Sequence, residues 1–299
     1  MKLAILLLCH KHAEQINLFL ETLKHPDIEF FIHMDKKADI VNQLIKRQDI
    51  HVLPDNLRVD VRWGEFSQTQ ATLNLFSAAR EMKNFDYYWL CSGQDFPVVS
   101  ADKIINYFSD YPRLNFISLW SSYFYNNRNK KNRYDKRNDL YFPHFLMGRS
   151  FIKRLFKRMY IEITGGWNHT YALFLRSKPF SPIQFFYGPS WVCLSESFVN
   201  WIFDYLKEHP SFSKYLFNSL NPDESIFQTL LMMSPYKNTR HDYLHYIDWS
   251  ERSGKPRNSP NTLTLADYDK IIESGYLMAR KFDMDVDKSI IYKLIKDIL

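Results

Sequence analysis

Glu224 stands in the run Asn221-Pro222-Asp223-Glu224-Ser225-Ile226-Phe227-Gln228-Thr229-Leu230, where a polar loop gives way to an apolar periodic segment. Asn221 suits a capping position and Pro222 the first helical one. Asp223 and Glu224 then fall in the first turn, where the helix dipole favours carboxylates. Ile226, Phe227 and Leu230 give the segment one inward face. A carboxylate held on such a rigid element at the end of a loop can face a cleft and act as a base. The same residues also make a well-charged helix start with no chemistry at all, so the rest of the chain must decide.

The elements that would position such a group alternate between strand and helix. Residues 2–9 form a short continuous apolar run, and Ile16, Phe19, Leu20 and Leu23 follow at helical spacing. A second strand is predicted over 29–34, a helix over 40–47 and a short strand over 51–53. Alternation of this kind predicts parallel βαβ units, in which ligands bind beyond the carboxyl ends of the strands. His10, Lys11 and Asp35 lie at such ends. Asp35 can accept hydrogen bonds from a ribose or a uracil N–H, although it could equally cap the next helix, and His10 and Lys11 could belong to a capped loop.

Further along, Val59, Val61 and Trp63 alternate before a helix that starts after Gly64. Arg62 beside that helix start makes a ready anion site, while Trp63 reads equally as core. A strand over 87–91 runs into Ser92-Gly93-Gln94-Asp95-Phe96-Pro97. Many nucleotide-sugar transferases carry an Asp-x-Asp pair for a divalent ion at this place, but here only Asp95 is present. One carboxylate is a poor hard-cation site, so diphosphate charge would fall to Lys and Arg. Asp95 could instead grip the backbone of its own loop.

The stretch Phe186-Tyr187-Gly188-Pro189-Ser190-Trp191 precedes a strand over 192–195. Its glycine allows close backbone approach, and Trp191 offers a ring face to a sugar; Gly188-Pro189 also reads as a plain turn. Ser190 and Trp191 are therefore candidate site-wall residues. A polar loop carries Arg252, Lys255 and Arg257. Asp283, Asp285 and Asp287 are read as natural caps for the last helix rather than as a metal site. That helix, over 287–299, presents Ile290, Ile291, Leu294, Ile295 and Ile298 on one stripe, whose width suits packing onto the domain better than lying on a membrane. Periodicity is weakest in the basic, aromatic insert over 123–160.

Composition narrows the class. A chain of 299 residues with 45% hydrophobic content and only 8 glycines has enough apolar material for a full core and little for flexible linkers, so one compact α/β domain is expected. Cys9, Cys91 and Cys193 sit in apolar runs without metal spacing, which suits a reducing compartment. The net charge of +6 and pI near 9.0 suit an anionic partner. No spacing of a nucleic-acid-binding module accompanies it, so nucleic acid is not the expected partner.

Taken in order, the strand ending in Cys9-His10-Lys11, then Ile32-His33-Met34-Asp35, Arg62-Trp63-Gly64, Ser92-Gly93-Gln94-Asp95-Phe96-Pro97, Tyr187-Gly188-Pro189-Ser190-Trp191, Pro222-Asp223-Glu224 and Arg280-Lys281-Phe282-Asp283 resemble the core-2/I-branching β-1,6-N-acetylglucosaminyltransferase family, which also includes the peptide O-xylosyltransferases. The resemblance implies a GT-A-like fold, an inverting mechanism, a UDP-sugar donor and no obligatory metal or other cofactor. It implies Glu224 as catalytic base, with Lys281 and Arg257 holding the diphosphate. It puts Asp35 and His10 on the uridine side and Tyr246 on the acceptor side. The insert over 123–160 and the missing disulfide cysteines and membrane anchor depart from the animal enzymes and leave the acceptor open.

Our expectation is therefore a single glycosyltransferase domain, with 1–120 as the nucleotide-binding half and 121–299 as the acceptor and catalytic half. Donor contacts are expected from His10, Lys11, Asp35, Arg62, Asp95, Arg257 and Lys281, and acceptor contacts from Ser190, Trp191 and Tyr246. The expected product is N-acetylglucosamine on a glycan or lipid-linked glycan, in surface polysaccharide assembly. UDP-xylose or another UDP-sugar is the alternative donor, and a non-catalytic nucleotide- or sugar-binding protein the alternative class. Location is expected to be cytoplasmic, with at most peripheral contact at the inner face of the membrane.

Overall fold

A computed structural model describes residues 1–120, 137–138, 142, 150–163, 184–252 and 259–298. Its centre is strand β1 (Leu3–Cys9), which pairs in parallel with β2 (Ile28–Met34) on one side and β4 (Tyr87–Ser92) on the other. With β3 (Ile50–Val52), β6 (Asn115–Phe116), β7 (Cys193–Ser195) and β8 (Arg240–His241), these form a seven-stranded sheet in the order β3-β2-β1-β4-β7-β6-β8. The first four strands are mutually parallel and β7 runs antiparallel to β4 and β6. This is an α/β fold with a mostly parallel central sheet, as the strand–helix alternation predicts.

The continuous apolar run of β1 follows from burial on both faces. Leu3, Ile5 and Leu7 join a core with helices α1 (Ala13–Thr22), α3 (Ala101–Asp110), α8 (Tyr268–Glu273) and α9 (Ser289–Ile298). Ala4 and Leu6 join the opposite core with α2 (Phe66–Met82), α5 (Glu196–Glu208), α6 (Pro210–Phe217) and α7 (Ile226–Met233). Each Leu, Ile or Phe so buried contributes about 1.5–3 kcal/mol. Helix α9 buries Ile290, Ile291 and Leu294 against the domain, so its apolar stripe packs inward.

A second sheet joins distant parts of the chain. Strand β10 (Met278–Arg280) pairs antiparallel with β5 (Asp95–Pro97) and parallel with β9 (His245–Ile247). Strands from before and after residue 120 thus share both sheets, and in the first β7 lies between β4 and β6.

Two local expectations change. The helix predicted over 40–47 is only a 3-10 turn, Val41–Gln43. Asn17 claims its backbone instead: Nδ2 donates to the Gln43 carbonyl at 2.9 Å and Oδ1 accepts from Ile45 N at 3.0 Å. The helix predicted to start at Asn221 is split into a 3-10 turn, Pro222–Glu224, and α7 beginning at Ile226. The carbonyl of Glu224, which a continuous α-helix would offer to residue 228, accepts from Gly188 N at 3.0 Å.

Candidate active site at the carboxyl edge of the sheet

The carboxyl ends of β1, β2 and β4 are tied together by backbone. Asp35 N donates to Cys9 O at 2.8 Å and Gly93 N to Leu8 O at 3.0 Å, so the loops that leave all three strands start from one place. His10 is exposed there and Lys11 and His12 are half-buried. Lys11 Nζ donates to Asp283 at 2.6 Å, and Phe282 N donates to Gln94 O at 2.7 Å. The 281–283 segment therefore lies across the ends of β1 and β4, with Lys281 half-buried within it.

Asp35 is buried and accepts from Lys37 N at 2.9 Å, with Lys37 Nζ 3.6 Å away. Lys37 also bridges to Asp60, whose other oxygen lies 3.4 Å from Arg62. Arg62 is exposed and Gly64, two residues on, turns through a φ of +79°. Its carbonyl accepts from Asn221 N at 2.9 Å, which joins the Arg62 loop to the Glu224 turn. A side chain at Gly64 would meet Asn221 Oδ1 at 2.8 Å. Asn221 itself is left-handed, with φ 51°, a conformation that Asn tolerates better than most residues. Its side chain does not cap the helix.

Around that turn two carboxylates are neighbours in sequence and opposite in setting. Asp223 is buried and accepts on one oxygen from Ser190 Oγ at 2.7 Å and Gln68 Nε2 at 2.8 Å. Burial, then the adjacent Glu224 charge, pushes its pKa up to about 6. The Glu224 side chain keeps 30% of its surface and pairs with Arg137 at 2.5 Å. Gly188 carries the wall onto this turn. A Cβ there would lie 2.1 Å from the Ser118 carbonyl, so the glycine serves a backbone–backbone approach.

From Ser190 the wall continues to Trp191, whose ring lies 3.8 Å from the Arg280 guanidinium carbon. Arg280 Nη1 donates to Asp95 at 2.7 Å. Asp95 is 1% exposed and also accepts from Ser92 N at 2.7 Å, the loop-gripping geometry that the sequence allowed. Burial alone would raise its pKa, but Arg280, His245 and the Ser92 amide outweigh it and hold it low. Tyr246, half-buried, follows His245 on β9, and its ring sits 6.4 Å from that of Tyr276. A relay of contacts thus runs Glu224–Gly188–Ser190–Trp191–Arg280, with Lys281 next in the chain.

Arg257 and Lys255 lie outside the described residues, as does most of the insert over 123–160. Arg252 is engaged elsewhere, bonded to Asp248 and to Asp267. Two groups of candidate metal ligands occur among the described residues, Cys91–Asp95–His245 and His12–Asp283–Asp285. Each already contains a cation in contact with its aspartate, Arg280 in the first and Lys11 in the second, which opposes a divalent ion. Sequence reasoning overlooked Arg280, Arg137 and Gln68. Arg280 stands inside the Arg280-Lys281-Phe282-Asp283 motif and could have been singled out; Arg137 and Gln68 carry no local signal.

A family model described as Core-2/I-Branching enzyme matches residues 3–272. The chain belongs to that family. Among curated relatives, xylosyltransferase 1 of Rattus norvegicus is 23% identical, over 98% of this chain and 35% of its own length. The β-glucuronosyltransferase GlcAT14A of Arabidopsis thaliana is 27% identical, over 88% of this chain and 57% of its own. The chain thus spans about a third to six-tenths of the length of these relatives. Among solved structures, the galactosyltransferase LgtC with donor and acceptor sugar analogues aligns over 99% of this chain and 96% of its own, at 10% identity and a TM-score of 0.42. The Core-2/I-branching match covers every candidate residue before 272; Lys281 lies just beyond it.

Proposed function

We propose that this chain is an inverting glycosyltransferase that moves a sugar, in the first instance N-acetylglucosamine, from a UDP-sugar to a glycan hydroxyl during surface polysaccharide assembly. The observation that carries the proposal is the contact relay from the Glu224 turn to Arg280 in a chain of the Core-2/I-branching family. A sugar hydroxyl is a weak nucleophile near neutral pH. Glu224 takes its proton as the oxygen attacks the anomeric carbon, and the bond to UDP breaks on the opposite side. Positive charge grows on the sugar and negative charge on the departing diphosphate. Lys281 and Arg257 meet that negative charge, the first as a point charge and the second as a planar fork. His10, Lys11, Asp35 and Arg62 belong to the donor side, which the buried Asp95 supports by fixing Arg280, and Ser190, Trp191 and Tyr246 to the acceptor side. In this scheme no metal ion takes part.

A second donor has support of its own, because relatives carry the names xylosyltransferase and β-glucuronosyltransferase. UDP-xylose and UDP-glucuronate therefore belong beside UDP-N-acetylglucosamine in the test. Ligand-linked thermal stabilisation ranks the donors directly, since a ligand that binds only the folded state stabilises it by an amount that grows with the logarithm of its concentration relative to Kd. Hydrolysis and transfer of the best donor are then measured in EDTA and should persist. A strict divalent-ion requirement would sink the Lys/Arg account. Binding of UDP without turnover of any sugar donor would instead identify a nucleotide-binding protein.

A further inference from the structure

We propose that helix α4 (Phe151–Ile163) docks the protein on an anionic lipid surface, lying in the plane of the bilayer. The helix starts at a defined cap, with Ser150 Oγ accepting from Lys153 N at 3.1 Å. Six large apolar side chains on it face solvent: Phe151 is 74% exposed, Ile152 63%, Leu155 47%, Phe156 58%, Met159 47% and Ile163 80%. At 100° per residue these positions fall on one side of the cylinder. The other large exposed apolar residues, such as Met82, Tyr111 and Trp249, are scattered through the chain.

The occupant follows from charge. Lys153 and Arg154 lie on the opposite side of the helix and Arg158 at its border, while Glu162, the one acid in the segment, falls within the apolar arc near the end of the helix. An apolar face backed by Lys and Arg is the pattern of a helix that rests at the headgroup boundary, where anionic lipid attracts the basic side and acyl chains accept the other. The chain as a whole carries +6, which adds to that attraction. At 13 residues the helix extends about 20 Å, well short of the hydrocarbon thickness, so it lies on the bilayer rather than crossing it. The same insert supplies Arg137, which pairs with Glu224, and Phe142, whose N donates to the Asn218 carbonyl.

The test is flotation of the full chain with vesicles of phosphatidylcholine alone or mixed with phosphatidylglycerol. The wild type should float with the mixed vesicles and more weakly with the neutral ones. Phe151→Ser with Phe156→Ser should lower partitioning roughly tenfold or more on both, and Arg154→Glu with Arg158→Glu should remove only the preference for phosphatidylglycerol. A Phe156→Trp variant should show a blue-shifted emission on mixed vesicles. Far-UV dichroism and Tm of all variants should match the wild type, because the altered side chains are exposed. Failure of the wild type to float at low ionic strength would overturn the proposal. So would a concentration-dependent dimer abolished by the two Phe→Ser changes, or a large fall in Tm, since each would show that protein rather than lipid covers this face.

Discussion

Asp95 and Glu224 are two carboxylates at the same edge of one sheet, and they are held in contrasting ways. Asp95 is sealed: a guanidinium, a backbone amide and a serine hydroxyl occupy its oxygens, and Trp191 covers the guanidinium. Glu224 keeps 30% of its side-chain surface and meets Arg137, brought from outside the sheet by the insert. Beside it Asp223, buried and in no ion pair among the described residues, is pushed toward neutrality by burial and by the Glu224 charge. Burial with full pairing makes a carboxylate part of the scaffold. Partial exposure on a fixed turn leaves it able to receive a proton from something that binds.

The sharpest way to break this contrast is Glu224→Gln, which should lower transfer about 10²–10⁴-fold, the range for loss of a general base, while UDP affinity is unchanged. Equal activity would remove Glu224 from the chemistry. Asp95→Asn should act on stability instead. It leaves the Arg280 guanidinium buried beside a neutral partner, at a cost of about 3–5 kcal/mol read from urea unfolding. If it impairs turnover and leaves the unfolding midpoint alone, Asp95 belongs with the reacting groups and not with the frame.

Gly188→Ala should cost about 1–3 kcal/mol, because its Cβ would run into the Ser118 carbonyl and push the wall off the Glu224 turn. Gly275→Ala is the control. That glycine has φ +71° but open space around it, so only backbone strain of about 1 kcal/mol is expected and activity should be intact. The remaining effect is tied to pH. The folded-state pKa of Asp223 is raised, so its protonated form contributes stability below the unfolded value, and that contribution is lost as pH rises through about 6. Asp223→Asn should therefore match the wild type near pH ~4 and be more stable by about 1–3 kcal/mol above pH ~7, measured by thermal unfolding across that range. A difference that does not vary with pH would show that burial does not govern this carboxyl.

Much of this arrangement is legible before any coordinates. The double-sided burial of β1 is written as an unbroken apolar run, and His10, Asp35 and Asp95 are marked as strand-end residues by where such runs stop. Glu224 is singled out by the Pro-Asp-Glu turn. These features depend on residues within a few positions of each other, and periodicity and turn chemistry report on that range alone.

What the tertiary structure decided lies at long separation. Arg280 reaches Asp95 across 185 residues because β10 pairs with β5, and no local pattern encodes that partner. The Asn221 helix is interrupted because Gly188, 36 positions earlier than Glu224, takes the carbonyl that the helix needed. Sequence alone thus determined which groups could react and which segments end at the sheet's edge. Folding decided which of those charges are neutralised and buried, because that depends on what the far side of the chain brings within hydrogen-bond reach.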